Sequence, residues 1–163
     1  MTAPNAPSDP TELPFDFRRS IDLRLDADGR WYHDGEAFTH AGLIALFNRG
    51  IDVSPETGEP IVRVGEQWAY FRCDDVPFIV RTVRLTPDGL EAVLNTEART
   101  TIAPAALRAS RSGVLYAAFA PGRLARFSRA AQAALADALT ETPEGEVALR
   151  WAGGCAAIPT VER

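Results

Sequence analysis

Apolar and polar residues alternate along most of this chain. Ile21, Leu23 and Leu25, for example, are separated by the charged residues Asp22 and Arg24. Such alternation is typical of a β-strand with one buried face. Comparable segments, rich in β-branched and aromatic residues, predict further strands at 61–64, 67–73, 78–85, 90–95, 114–119, 146–151 and 155–158.

The stretch 28–47 combines two turns, a strand and a helix. Asp28-Gly29 and Asp34-Gly35 are dipeptides that accept a positive φ, so they should reverse the chain on either side of residues 30–33. This stretch also contains both histidines of the chain. It is therefore the first place to look for chemistry.

A short helix should follow this hairpin. The apolar residues between Leu43 and Phe47 recur with helical spacing and form one face. Thr39 is placed to cap the start of this helix, and Gly50 stands where a left-handed helix end is common.

A second and longer helix is predicted after the Pro121-Gly122 turn. Its evidence is a set of apolar residues spaced by three and four positions, namely Leu124, Phe127, Ala131, Leu135 and Leu139. Arg123, Arg126 and Arg129 would then lie in its first two turns, where the helix dipole prefers acids. They are interpreted either as an anion site or as partners of surface acids.

Composition narrows the classes of partner. The 163 residues carry a net charge of −5, so a general affinity for nucleic acid or anionic membranes is not expected. All 17 basic residues, histidines aside, are arginine, which indicates a GC-rich, bacterial genome. No apolar run approaches the ~20 residues needed to span a bilayer, and residues 1–10 lack the features of a secretion signal. We therefore expect a cytoplasmic protein. Cys73 and Cys155 are expected to be small buried hydrophobes.

The order and spacing of several motifs resemble the bacterial domain of unknown function family 1285 (DUF1285). The residues that carry the resemblance are Asp28-Gly29-Arg30-Trp31-Tyr32-His33-Asp34-Gly35, Asp75-Val76-Pro77-Phe78, Gly122 to Leu135 with Ala125, Arg126, Ser128 and Arg129, and Trp151-Ala152-Gly153-Gly154. The chain departs from the family pattern at Gly65-Glu66-Gln67 and at Asn95-Thr96. The resemblance implies an α+β fold in two sublobes, in a family whose activity is not established.

The pattern and the resemblance agree on architecture. About seven to nine strands with two principal helices between them predict an α+β fold with mainly antiparallel sheet. Residues 1–14 are proline-rich and should form a disordered tail. Residues 15–75 should form an N-terminal hairpin-and-helix sublobe, and residues 76–163 a C-terminal sublobe of sheet and long helix within the same folded unit.

No catalytic motif appears in the sequence. A phosphate loop, a nucleophile elbow and a zinc-binding histidine pair are all absent, so no catalytic residue, metal or cofactor is predicted. The main hypothesis is a regulatory module that binds a small ligand or anion. A protein-interaction scaffold is the alternative, and an uncharacterised enzyme ranks third.

The site hypothesis joins the hairpin, the corner before Pro77 and the start of the long helix. His33, Asp75 and Arg129 would meet at the junction of the sublobes, a usual place for small-molecule sites. Asp75 would accept a hydrogen bond from His33 or Arg129, which would leave Arg123 and Arg126 to receive a small anionic ligand. The alternative for His33 is a structural role. The alternative for Asp75 is an ion pair with Arg129 that holds the two sublobes together.

Overall fold

The computed structural model describes residues 17–163 of the chain, and the predicted tail lies outside this part. The fold is α+β with mainly antiparallel sheets, as the sequence predicted. Its α-helices are α1 (Phe17–Ser20), α2 (Ala41–Arg49) and α3 (Arg129–Leu135).

Two small sheets form the N-terminal half. The first has the order β3-β2-β1-β7 and comprises β1 (Leu23–Leu25), β2 (Trp31–His33), β3 (Glu36–Ala37) and β7 (Arg72–Cys73). The second has the order β4-β5-β6 and comprises β4 (Ile51–Val53), β5 (Pro60–Val64) and β6 (Gln67–Tyr70). The Asp34-Gly35 turn between β2 and β3 is confirmed, with φ of 49° and 80° at these two residues.

Helix α2 packs against β5. Its cap is His40, whose Nδ1 accepts a hydrogen bond from the Leu43 amide at 3.1 Å, so the prediction of Thr39 as the cap was wrong by one residue. The prediction of a left-handed end at Gly50 was also wrong, because its φ is −85°. Glycine is required there for space: a Cβ at Gly50 would lie 1.9 Å from the carbonyl oxygen of Arg63.

Two further sheets form the C-terminal half. The larger has the order β10-β9-β8-β13-β12-β11-β17 and comprises β8 (Phe78–Thr86), β9 (Gly89–Leu94), β10 (Arg99–Ile102), β11 (Leu107–Ser110), β12 (Leu115–Ala120), β13 (Arg123–Phe127) and β17 (Thr160–Val161). The smaller has the order β14-β15-β16 and comprises β14 (Leu139–Glu141), β15 (Val147–Trp151) and β16 (Gly154–Ala157). The predicted hairpin of β8 and β9 around Pro87 is confirmed.

The predicted long helix is wrong in its first part. Residues 123–127 form β13, which pairs parallel to β8 and antiparallel to β12, and α3 contains only seven residues. Arg123 and Arg126 therefore lie on a strand, and only Arg129 lies in the first helical turn. Ser128 separates the two elements by capping α3 through its hydroxyl, which accepts from the Ala131 amide.

One hydrophobic core joins the two halves. The corner at Asp75 lies between β7, which ends at Cys73, and β8, which begins at Phe78. Within residues 17–163, no strand before this corner pairs with a strand after it. The core cluster nevertheless contains Leu25 and Trp31 from one half with Phe127 and Leu135 from the other. Within residues 17–163, no helix is long and apolar enough to cross a bilayer.

Candidate functional site

An open groove lies between the β2–β3 hairpin, helix α2 and strands β5 and β6. Its volume is about 800 Å³, within the roughly 300–1,000 Å³ that small-molecule sites occupy. The apolar part of its lining comes mainly from Leu23, Phe38, Leu43, Phe47, Val62 and Val64. The groove therefore offers a concave, mainly apolar surface to solvent.

An aromatic cluster supports this groove from below. Trp31 is 2% exposed, and its ring centroid lies 5.5 Å from that of Phe47 and 6.2 Å from that of Phe38. The Trp31 Nε1–H donates to Asn48 Oδ1 at 2.8 Å, which satisfies both buried polar groups. Because aromatic side chains packed in this way lose little further freedom on binding, the groove is preorganised.

Most polar side chains of the groove come from one short stretch. His33, Glu36, Thr39 and His40 lie on the hairpin and the loop before α2, and Gln67 joins them from β6. His40 Nδ1 accepts from a backbone amide, so a neutral His40 carries its proton on Nε2 and keeps a donor available. Apolar walls with a few polar groups at one wall are typical of a ligand site.

His33 is open rather than sealed in the core. Its side chain is 56% exposed, and its Nε2 lies 3.5 Å from Asp34 Oδ2. Asp34 belongs to the turn, where its φ is 49°, and its carboxylate therefore does not point to the opposite face as the next residue of a strand would. His33 is thus a polar lining residue of the groove.

Asp75 lies in a different, nearly closed cluster. Its Oδ2 accepts from the Tyr116 hydroxyl at 2.5 Å and from Arg126 at 3.0 Å, and its Oδ1 accepts from Arg163 at 2.8 Å. Burial alone would raise the pKa of Asp75, but these three donors outweigh it and lower the pKa below its usual value. Asp75 is therefore a charged brace with its acceptor capacity in use.

The same cluster affects the ionisation of its neighbours. Burial and the Asp75 carboxylate raise the pKa of Tyr116, which keeps its hydroxyl protonated as a donor. Burial raises the pKa of the Cys73 thiol to about 11, so Cys73 is unreactive at neutral pH. Cys155 is exposed, contrary to the expectation that both thiols are buried.

Comparison with solved structures identifies the fold. A DUF1285 family protein from Silicibacter pomeroyi DSS-3 is similar over 86% of this chain and 81% of its own, with a TM-score of 0.64 and 18% identity. A DUF1285 family protein from Shewanella baltica OS155 is similar over 72% of this chain and 92% of its own, with a TM-score of 0.55 and 12% identity. The chain has a DUF1285-like fold. No protein-family model and no curated protein matches the sequence.

The DUF1285-like fold brings together only some of the predicted site residues. Asp75 and Arg126 are in contact, whereas the hydrogen-bond partners of Asp75 within residues 17–163 include neither His33 nor Arg129. Arg123 instead donates to Asp52 at 2.7 Å. Burial would raise the pKa of Asp52, but Arg123 and the Val53 amide lower it below its usual value. Arg129 is exposed at the start of α3.

Several residues of the Asp75 cluster and of the groove were not predicted from the sequence. Tyr116 and Arg163 bind Asp75 from positions 41 and 88 residues away, and no local pattern announces such pairs. Phe38 and Phe47 were readable as apolar, but apolarity alone does not distinguish a groove wall from core. Within the described part of the chain, no three His, Cys, Asp or Glu side chains group as metal ligands.

Proposed function

We propose that this protein binds a small, mainly apolar molecule in the groove around His33. The observation that carries the proposal is the 800 Å³ concavity, whose walls are apolar and whose polar groups come mainly from the stretch 33–40. A concavity of this volume with apolar walls and a few polar groups at one side has the make-up of a small-molecule site. Of the residues predicted from sequence, His33 belongs to this proposed site.

The other predicted site residues fit a structural role better. Arg123 and Arg126 donate to Asp52 and Asp75 respectively, so each guanidinium already has a carboxylate partner. An anion placed beside them would have to compete with carboxylates of the protein itself. We therefore propose that Asp75 and the two arginines hold the halves of the molecule together, and that the ligand lies elsewhere.

A protein partner is the second candidate, because α2 also exposes apolar side chains. Leu43 and Leu46 are 39% and 38% exposed, yet only Leu43 lines the groove. A partner lying across α2 would contact both leucines, whereas a small molecule in the groove would contact only Leu43. This pair therefore provides a matched test.

The test uses the neutral fluorophore N-phenyl-1-naphthylamine, whose emission rises in apolar surroundings. We expect a saturable, single-site rise with the unmodified protein. Leu43→Arg should abolish it by placing a charge in the groove, and Leu46→Arg should leave it unchanged. Both substitutions are at exposed positions, so each should change the free energy of unfolding by about 0.5 kcal/mol or less. Absence of saturable binding, or equal loss in both variants, would contradict the proposal.

A further inference from the structure

Among the described residues that line the groove, Glu36 is the one acidic side chain, and no arginine lines it. Its side chain is exposed, and within residues 17–163 it has neither an ion pair nor a hydrogen-bond partner. The remaining polar lining residues are His33, Thr39, His40 and Gln67. An unpaired carboxylate thus lies among the few polar groups of a mainly apolar groove.

The surroundings of Glu36 strengthen its negative character. In the β2–β3 pair, Glu36 lies directly opposite His33, whose Nε2 faces the Asp34 carboxylate. The hairpin therefore presents two acids within three residues. The positive end of α2 offers little compensation, because His40 already accepts the Leu43 amide there.

Two arginines near these strands have partners on strands other than that of Glu36. Arg18 places its guanidinium 3.9 Å from the ring centroid of Trp68, on the β6 wall. Arg123 donates to Asp52 on β4. Glu36 on β3 therefore lies on a different strand from Trp68, the ring that Arg18 contacts, and Val62 and Val64 on β5 supply apolar wall.

We propose that the ligand of the groove is an amphipathic cation, a protonated amine on an apolar body, with its ammonium group at Glu36. This inference rests on the proposed function, since it names the class of molecule that the groove takes. Next to apolar walls, a carboxylate and an ammonium group in contact favour the cation over a neutral analogue by about tenfold. An anionic head of the same shape is repelled.

The experiment compares octylamine, octanamide and octanoate, which share one apolar body and differ in the charge of the head. Each is titrated against the protein loaded with N-phenyl-1-naphthylamine, and displacement gives the affinity. We expect octylamine to bind about tenfold more tightly than octanamide, and octanoate to bind most weakly. Raising the salt concentration should reduce the octylamine preference and leave octanamide unchanged.

Glu36→Gln removes the charge while keeping the size of the side chain, and Glu144→Gln is the matched control at an exposed turn of the C-terminal half. Only Glu36→Gln should bring the three affinities together. The proposal of a cationic ligand would be overturned if octanoate bound as tightly as octylamine or more tightly. It would also be overturned if Glu36→Gln kept the preference for octylamine. If none of the three displaces a fluorophore that still binds, the cation is overturned and groove binding stands. If the fluorophore itself does not bind, the proposed function fails first.

Discussion

The groove around His33 and the cluster around Asp75 differ in how far their polar groups are satisfied. Asp75 accepts from three side chains, and its side chain is 16% exposed. Glu36 has no partner within residues 17–163, and His33 is 56% exposed. A residue with all its bonds made inside the protein stabilises the fold, whereas open polar groups beside an apolar concavity are free to contact something else.

The largest expected effect concerns the packing that both regions share. Phe127 is 1% exposed on the same strand as Arg126, so Phe127→Ala should lower the free energy of unfolding by about 3–5 kcal/mol. Val147→Ala, at a side chain that is 49% exposed, is the control and should change stability by about 0.5 kcal/mol or less. Equal denaturation midpoints for the two variants would show that β13 does not anchor the core.

Asp75→Asn tests the brace itself. It keeps the shape of the side chain but removes the charge that Arg126 and Arg163 contact, so we expect a loss of about 1–3 kcal/mol in chemical denaturation. Asp34→Asn, at an exposed turn residue, should stay within about 0.5 kcal/mol. Binding of N-phenyl-1-naphthylamine should be the same in both variants. Its loss in Asp75→Asn alone would mean that the two regions form one site.

The contribution of the Asp75 carboxylate to stability should also depend on pH. Asp75 has a folded-state pKa below its unfolded value, so its contribution is present above about pH 4 and is lost as the pH falls through the folded pKa. The stability difference between the unmodified protein and Asp75→Asn should therefore shrink as the pH falls from about 5 to 2. Denaturation series at several pH values measure this difference. A difference that grows towards acid would show that the pKa of Asp75 is raised.

The smallest effect on stability is expected in the groove. Leu43→Ser removes a side chain that is 39% exposed, so unfolding should change by about 0.5 kcal/mol or less. Binding of the fluorophore should nevertheless weaken, since Leu43 lines the groove. Leu46→Ser is the paired control and should change neither quantity. A large loss of stability in Leu43→Ser would show that Leu43 belongs to the core and not to the open wall of the groove.

Local patterns predicted the hairpin turns well because short-range chemistry decides them. Asp34 and Gly35 have the positive φ that their turn demands, and the β8–β9 hairpin closes around Pro87 as the sequence indicated. The α+β class follows from the same alternation.

The misread segment 123–127 shows where this logic ends. Spacing of three between Leu124 and Phe127 fits a helix, but pairing with β8 and β12 makes the segment a strand with Ala125 and Phe127 buried. Tertiary pairing overrides a short periodic signal. The segment 97–112 had weak patterns, yet it contains β10 and β11 for the same reason.

The candidate site was even less accessible from sequence. His33 could be identified as unusual, but the groove depends on how α2 lies relative to β5 and β6, which no single segment encodes. Arg123 and Arg126 were singled out because they were predicted to lie at the positive end of a helix. They lie on a strand, so no unfavourable interaction with a helix dipole exists there. Their partners, Asp52 and Asp75, lie 71 and 51 residues away in the chain.

The most direct test of the account is an amide chemical-shift map recorded while octylamine is added to the isotope-labelled protein. We expect the perturbed amides to cluster at residues 33–47 and 62–69, around the groove, and the amides of Asp75, Tyr116 and Arg126 to remain unchanged. Perturbations centred on Asp75 and β13, with the groove amides unmoved, would contradict the claim that the open groove is the binding site.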